Sequence, residues 1–317
     1  MWNMKTEIMQ NQSPTVTESE ELVMRDGQTR IVITKVPGDF VVCNLSSINL
    51  ARAVPDDVLE RLIPIQVRML DNVIDINNIE ILQAQHTNQQ YRAVGLGTFG
   101  LHHLLALEGI RWESDEAVAY NDRLYEDIAY LTIKASADLA KEKGAYPAFE
   151  GSEWHSGEYF VKRGYIDENA ESDRWAQLTL QVVQHGIRNG YLLAIAPNGS
   201  TSIIAGSTAS IDPIYELLSY EEKTTYKIAN PAPDLSPATM WYYKTAFTID
   251  QHWSIKAAAV RQKHVDQAQS FNLYVTPDIK ASAFLALHMD AWKSGIKSTY
   301  YVRSRALTIE ECESCAS

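Results

Sequence analysis

Short runs of β-branched and apolar residues alternate along this chain with longer stretches of helical period, and that alternation points to a parallel α/β architecture. IVITKV (31–36) and DFVVCNLSSINL (39–50) read as strands. PDDVLERLIPIQVRMLDNVIDI (55–76) predicts a helix with acidic residues in its first turn. A second helix is expected over Asp115–Lys143, with Ser114 as N-cap and Gly144 as stop. A third covers 172–185 and ends at Gly186. YLLAIA (191–196) reads as a buried strand that enters a small-residue loop and a short apolar helix. SFNLYV (270–275) is a strand, Pro277 to Lys293 a helix stopped by Gly295, and KSTYYVR (297–303) the last strand. Residues 8–30 read as a polar loop, and the tail after about Arg305 has little to bury and is expected to be flexible.

The 317 residues, 45% of them hydrophobic, suffice for one large domain or two ordinary ones. A formal net charge of −12 argues against nucleic acid or an anionic membrane as a partner, since either calls for a basic face. No apolar run approaches the roughly 18 residues of a membrane span, and MWNMKTEIMQ lacks a secretory pattern. A cytoplasmic location is the expectation. Three cysteines do not make a disulfide framework. Cys43 lies in an apolar run, whereas Cys312 and Cys315 form a C-x-x-C pair in the polar tail. Such a pair serves redox exchange, a metal site, or nothing. Zinc needs two further ligands and no His or Cys accompanies the pair, so redox work is the better reading.

AIAPNGSTSIIAG (194–206) is the clearest candidate site. A buried strand turns through small residues into a helix, so Asn198, Gly199, Ser200, Thr201 and Ser202 suit a phosphate. An ordinary capped strand-to-helix turn accounts for the segment equally well, and the G-K-[ST] of an ATPase loop is missing. Gly95, Gly97 and Gly100 spell G-x-G-x-x-G, but the residues before them make a poor buried strand. Close helix packing explains these glycines better than a dinucleotide site. His102 and His103 are adjacent and make a poor metal pair. Tyr300 and Tyr301, taken alone, are ordinary strand residues.

An ordered set of landmarks changes the weight of these pieces. VVCNLSSINL, NVIDIN, RAVGLGTFGL, DLAKEKGAYPAFEGS, HGIRN, APNGSTS, ASIDPIYE, QSFNLYV and WKSGIKSTYYVRSR follow one another, with a cysteine-bearing tail behind them. In that order they resemble the large subunit of class I ribonucleotide reductase over nearly the whole chain. The resemblance implies a ten-stranded α/β barrel of two five-stranded parallel halves, threaded by a finger loop. Residues 1–30 would be a finger-loop remnant with the polar loop, 31–305 the second, C-terminal half-barrel, and 306–317 a flexible redox tail. The family's finger tip reads Asn, any residue, Cys, any residue, Glu. Here Asn3 and Glu7 keep the frame, and Lys5 stands where the radical cysteine belongs. An ammonium group offers no comparable one-electron chemistry, so Lys5 is no substitute.

What the resemblance implies for mechanism is reduction of ribonucleoside diphosphates by radical chemistry. The loop 198–202 would hold the substrate phosphates, and Glu7 would take the 3′-hydroxyl proton as general base. Asn3 would orient the ribose hydroxyls. Cys43 would donate reducing equivalents with a cysteine of the missing half. Cys312 and Cys315 would then exchange with the resulting disulfide and be reduced by thioredoxin or glutaredoxin. About ten residues separate Tyr301 from Cys312, so the extended tail spans roughly 35 Å. Tyr300 and Tyr301 would relay a radical from a metal-containing small subunit, so this chain itself would bind no metal or cofactor. Lys5 leaves two explanations: a split gene, whose other polypeptide carries the N-terminal half and the radical cysteine, or a catalytically inactive remnant or modulator that binds reductase subunits. The surviving Cys43, tyrosine pair and tail cysteines favour the split. A half-barrel exposes an apolar face and strand edges, so an obligate hetero-oligomer is expected.

Overall fold

A computed structural model describes residues 6–166, 174–222 and 227–304. Asn3, Lys5, Cys312 and Cys315, and with them the expected redox tail, lie outside the described residues. The chain enters through β1 (Val16–Arg25) and β2 (Gln28–Val36), an antiparallel hairpin with Leu22 opposite Ile31 and Arg25 opposite Gln28. This corrects the reading of 8–30 as a loop. Asp26 and Gly27 both take positive φ, 53° and 71°, the conformation of the tight turns that match strand twist. IVITKV (31–36), read as a strand, lies within β2, whereas β1 went unread because the apolar residues of the hairpin face outward: Leu22, Met24, Ile31 and Ile33 are all exposed.

β3 (Leu45–Asn49) leads through α1 (Leu50–Ala53), α2 (Leu59–Ile76) and α3 (Leu82–Tyr91) to β4 (Gly95–Phe99). β4 pairs parallel with β3, Leu45 beside Gly95 and Asn49 beside Phe99. Every residue of β4 is buried, as expected for a strand covered on both faces. Gly95 and Gly97 thus belong to the strand itself, and helix packing is not their reason. A Cβ on Gly95 would meet Leu45 and Ala194, and one on Gly97 the backbone of Ala194 and Ile195. These glycines let the next strand approach.

From β4 the chain runs through α4 (Leu101–Leu107), α5 (Asp115–Lys143), α6 (Glu153–Ser156), α7 (Glu158–Lys162) and α8 (Arg174–His185). α5 has the expected limits: the Ser114 hydroxyl accepts from the Ala117 N–H at 3.0 Å, and Gly144 stops the helix at φ 83°. The segment 191–196 then lies parallel to β4 through a bridge of Leu193 with Leu96. α9 (Gly199–Ile204), the antiparallel pair β5 (Leu218–Glu222) and β6 (Lys227–Pro231), and α10 (Gln251–His264) follow. Segment 267–275, which includes β7 (Leu273–Val275), joins 191–196 through a parallel Ile195–Gln269 bridge. α11 (Ala281–Lys293) crosses to β8 (Val302–Ser304), which pairs parallel with β7. Parallel pairing therefore passes in order from β3 to β4, to 191–196, to 267–275 and to β8, with helices in every connection, as parallel strands require. No closed barrel forms among the described residues.

The main core lies between β4 and α2, α5 and α8, around Ile63, Val67, Leu96, Ile128, Phe160 and Val182. A second cluster, including Ile255, Phe271, Leu273 and Leu287, joins α10, β7 and α11. Asp71 of α2 is fully buried beneath the main core. Its carboxylate meets Arg92 at 2.7 Å, Lys143 at 3.2 Å and Arg188 at 3.2 Å. No helix among the described residues is long and apolar enough to cross a membrane.

Candidate active site

The end of the parallel ladder gathers most of the residues singled out from the sequence. Glu7 is fully buried and bound on both its backbone and its side chain. Its carbonyl accepts from the Ala268 N–H at 3.0 Å, and Ser270 Oγ donates to its Oε2 at 2.9 Å. Ser298 Oγ fixes the preceding carbonyl, that of Thr6, at 2.8 Å. Oε1 of Glu7 is buried without a hydrogen-bond partner among the described residues. A buried carboxylate oxygen left unpaired is costly, and such groups call for a functional explanation.

Tyr300 follows directly along the same edge, its N–H donating to the Phe271 carbonyl at 2.7 Å. The Tyr300 and Tyr301 rings lie 3.9 Å apart, centroid to centroid, inclined at 44°. The hydrogen bond with Tyr301, then burial, then the charges of Tyr301 and Glu7 push the Tyr300 phenol up to about 12. Tyr301 is anchored by its backbone: its N–H donates to Asn272 Oδ1 at 3.2 Å, and its carbonyl accepts from the Leu273 N–H at 2.9 Å. The Arg303 guanidinium sits 5.2 Å from the centre of the Tyr301 ring.

The loop 198–202 leaves the C-terminal end of the 191–196 segment, the usual position for ligands in parallel sheets. Asn198 does not cap α9 with its side chain. Its Nδ2 donates instead to Ser47 Oγ of β3 and to the Ala196 carbonyl, each at 3.0 Å, and its N–H to Ser210 Oγ at 2.9 Å. Gly199, Ser200 and Thr201 are exposed, whereas Ser202 is buried and donates its hydroxyl to the Gly199 carbonyl at 2.6 Å. Four of the five loop residues therefore have backbone or side-chain groups near solvent. Gly199 and Ser202 also line a cavity of about 720 Å³ with Asp212, Pro213, Ile214 and Tyr215. Cys43 is exposed and sits just before β3, next to Asn44, whose carbonyl accepts from the Gly95 N–H at 2.8 Å.

Several of these contacts were not legible in the motifs. Ser270, Ser47, Asn272 and Asp212 meet their partners only through long-range closure, although ASIDPIYE and QSFNLYV contain three of them. Asp212 is buried, and that burial pushes its carboxyl up to about 7 against the opposing influence of Asn272 and Tyr274. His102 and His103 are both buried structural residues. His102 accepts from the Ile214 N–H at Nδ1, faces the Tyr242 carbonyl with Nε2, and is lowered by burial to about 4. Among the described residues no cluster of three or more His, Cys, Asp or Glu side chains could hold a metal ion.

The chain matches a family model described as ribonucleotide reductase, barrel domain, over residues 1–302. It is 49% identical over 317 residues to the ribonucleoside-diphosphate reductase subunit alpha of Treponema pallidum (strain Nichols), covering 99% of this chain and 37% of that protein. The protein of the same name from Helicobacter pylori (strain J99) is 38% identical over 351 residues, with 98% and 44% covered. That of Bacillus subtilis (strain 168) is 30% identical over 292 residues, with 87% and 42% covered. The chain thus spans less than half the length of these curated relatives. It belongs to the ribonucleotide reductase barrel-domain family.

Proposed function

We propose that this chain is the C-terminal part of a ribonucleoside-diphosphate reductase large subunit, working with a separate N-terminal part that carries the radical cysteine. The observation that carries this reading is the meeting of Glu7 with the Tyr300–Tyr301 pair on strands continuous with the loop 198–202. A general base, a candidate radical path and a candidate phosphate site then share one end of one ladder. The order of parallel pairings, five segments long, supports the second half of a ten-stranded barrel. Lys5 in the finger-tip frame supports a cysteine supplied from elsewhere.

In this reading the loop 198–202 holds the substrate diphosphate, with the exposed Gly199, Ser200 and Thr201 offering its accessible N–H and hydroxyl groups. The thiyl radical of the other part takes the 3′ hydrogen atom, so an S–H bond forms as the C–H bond breaks. The unpaired Oε1 of Glu7 accepts the 3′-hydroxyl proton, while Ser270 holds Oε2. Asn3 orients the ribose hydroxyls. The 2′-hydroxyl leaves as water, and Cys43 with a cysteine of the other part supplies two electrons and two protons, leaving a disulfide. Cys312 and Cys315 exchange with that disulfide and are reduced in turn by thioredoxin or glutaredoxin. Tyr300 and Tyr301 carry the radical between a metal-containing small subunit and the site. The outward apolar face of the β1–β2 hairpin, with Leu22 and Ile31 at its centre, supports a chain that buries further surface on assembly.

Affinity isolation of the tagged chain from its native lysate, followed by mass spectrometry, tests the partnership. A co-purifying polypeptide that resembles the N-terminal part and contains the radical-site cysteine is expected. Recovery of an intact large subunit alone would favour the second reading that Lys5 leaves, a modulator of reductase subunits.

A further inference from the structure

Asp212 belongs to none of the phosphate, base or thiol groups, yet it connects two of the elements they depend on. It lies on the corner that follows α9, and that corner is tightly held. The Ser207 N–H donates to the Ser202 carbonyl at 2.9 Å, the Gly100 N–H to the Ser210 carbonyl at 3.0 Å, and the Asn198 N–H to Ser210 Oγ at 2.9 Å. Ser210 has φ 52°, a left-handed conformation that costs energy for a residue with a Cβ and persists only where surroundings impose it. One side of the corner therefore grips the first residue of the loop 198–202. The other side carries the Asp212 carboxylate.

From that carboxylate a single side chain leads to the tyrosine pair. Asn272 Nδ2 donates to Asp212 Oδ2 at 2.7 Å, and Asn272 Oδ1 accepts from the Tyr301 N–H at 3.2 Å. An ionised carboxylate only accepts, so it fixes the amide nitrogen of Asn272 toward itself and the amide oxygen toward Tyr301. Turning the amide over would break both bonds.

We infer that Asp212 is a positioning residue for Tyr301, acting through Asn272 to hold the strand that carries the tyrosine pair against the corner that holds the loop 198–202. The inference deepens the relay reading of Tyr300 and Tyr301 and rests on it for its functional meaning. A protonated Asp212 can donate as well as accept, which removes the constraint on the Asn272 amide. The groups that face Asp212 are Asn272 and Tyr274 from segment 267–275, Tyr215 beyond the corner, Arg303 from β8 and Arg261 from α10. Burial keeps the Tyr274 phenol protonated. Glu7 is the remaining charge beside the pair.

The test is a pH titration of the full chain labelled with 3-fluorotyrosine, followed by ¹⁹F NMR, with the Tyr301 resonance assigned by its loss in Tyr301→Phe. A step in that resonance with a midpoint of about 7 is expected. It should vanish in Asp212→Asn and equally in Asn272→Ser, which keeps the carboxylate but cuts the link, while the fluorotyrosine resonances remote from Asp212 and Tyr301, such as those of Tyr130 and Tyr165, hold their positions and Tyr274, which faces Asp212 directly, still titrates in Asn272→Ser. Absence of the step in the native chain, or its survival in either variant, overturns the inference. Failure of the relay reading shows separately, as turnover retained by Tyr301→Phe in the reconstituted reductase.

Discussion

Ser270 Oγ donates to Glu7 Oε2 at 2.9 Å across 263 positions of sequence, leaving Oε1 as a buried acceptor with no partner among the described residues. In the proposed function, that asymmetry gives the carboxylate one oxygen for orientation and one for a substrate proton. Glu7→Gln removes the base while keeping the shape and an acceptor for Ser270. Turnover of the assembled reductase should fall by about 10²–10⁴-fold, the usual worth of a positioned general base. The thermal midpoint should hold or rise, because a buried charge is lost. Unchanged turnover would remove Glu7 from the proton path.

Tyr300 carries a second expectation. With its phenol pushed up to about 12 by Tyr301, burial and Glu7, it is neutral throughout the physiological range. An electron leaving Tyr300 must then be accompanied by a proton. Ultraviolet or ¹⁹F titration of the chain should show the Tyr300 signal ionising well above the ordinary value near 10, and Tyr301→Phe should bring it back down. A Tyr300 that ionises near the ordinary value in the native chain would contradict the hydrogen-bonded pair.

Asp71→Ala should be among the most destabilising single changes in the chain. It strips the carboxylate from Arg92, only 7% exposed at its side chain, and from Arg188 and Lys143. Breaking a buried ion pair on one side costs about 3–5 kcal/mol, and Asp75, 2.8 Å from Arg92, compensates part of the charge left behind, so the loss falls toward the lower end of that range. Denaturant unfolding measures the loss directly. A cost below about 1 kcal/mol would show that the cluster behaves like a surface salt bridge.

His102 ties stability to pH. Burial lowers its folded-state value to about 4, against an ordinary 6.5, so the folded chain binds fewer protons than the unfolded one. Its contribution is therefore fully present above the unfolded value and is lost as pH falls from 6.5 through about 4, amounting to about 3 kcal/mol. Asp212 acts in the opposite sense, because its folded value is raised to about 7 and its contribution fades as pH rises. The two overlap, so the informative quantity is the difference between the native chain and His102→Gln. That difference should shrink between about pH 6.5 and 4. A constant difference would exclude His102 as the source.

The helix α5 was legible because its signals are local: Ser114 caps it, Gly144 stops it and its length leaves no competing reading. Of the hairpin, β2 was legible in IVITKV (31–36) but β1 was not, since its composition is polar and its apolar residues point to solvent, although Asp26-Gly27 carried the turn signal. The ordered landmarks meant something partly different from their apparent role. NVIDIN borders Asp71, RAVGLGTFGL begins with Arg92, DLAKEKGAYPAFEGS contains Lys143 and HGIRN supplies Arg188 and Asn189. All of them converge on one buried ion cluster that locks helices to strands. Of the proposed site, Glu7, the loop 198–202 and the tyrosine pair could be named from the sequence. Ser270, Asn272 and Asp212 were silent because their partners lie tens to hundreds of residues away.

The most direct measurement is the conversion of a ribonucleoside diphosphate to its deoxy form by the affinity-isolated complex containing this chain, supplied with the small subunit and reduced thioredoxin or glutaredoxin. The expected result is turnover that Tyr301→Phe abolishes while the complex still assembles. Assembly of the same complex without any diphosphate reduction, or turnover that Tyr301→Phe leaves intact, would contradict a working half-enzyme with a radical path through the tyrosine pair.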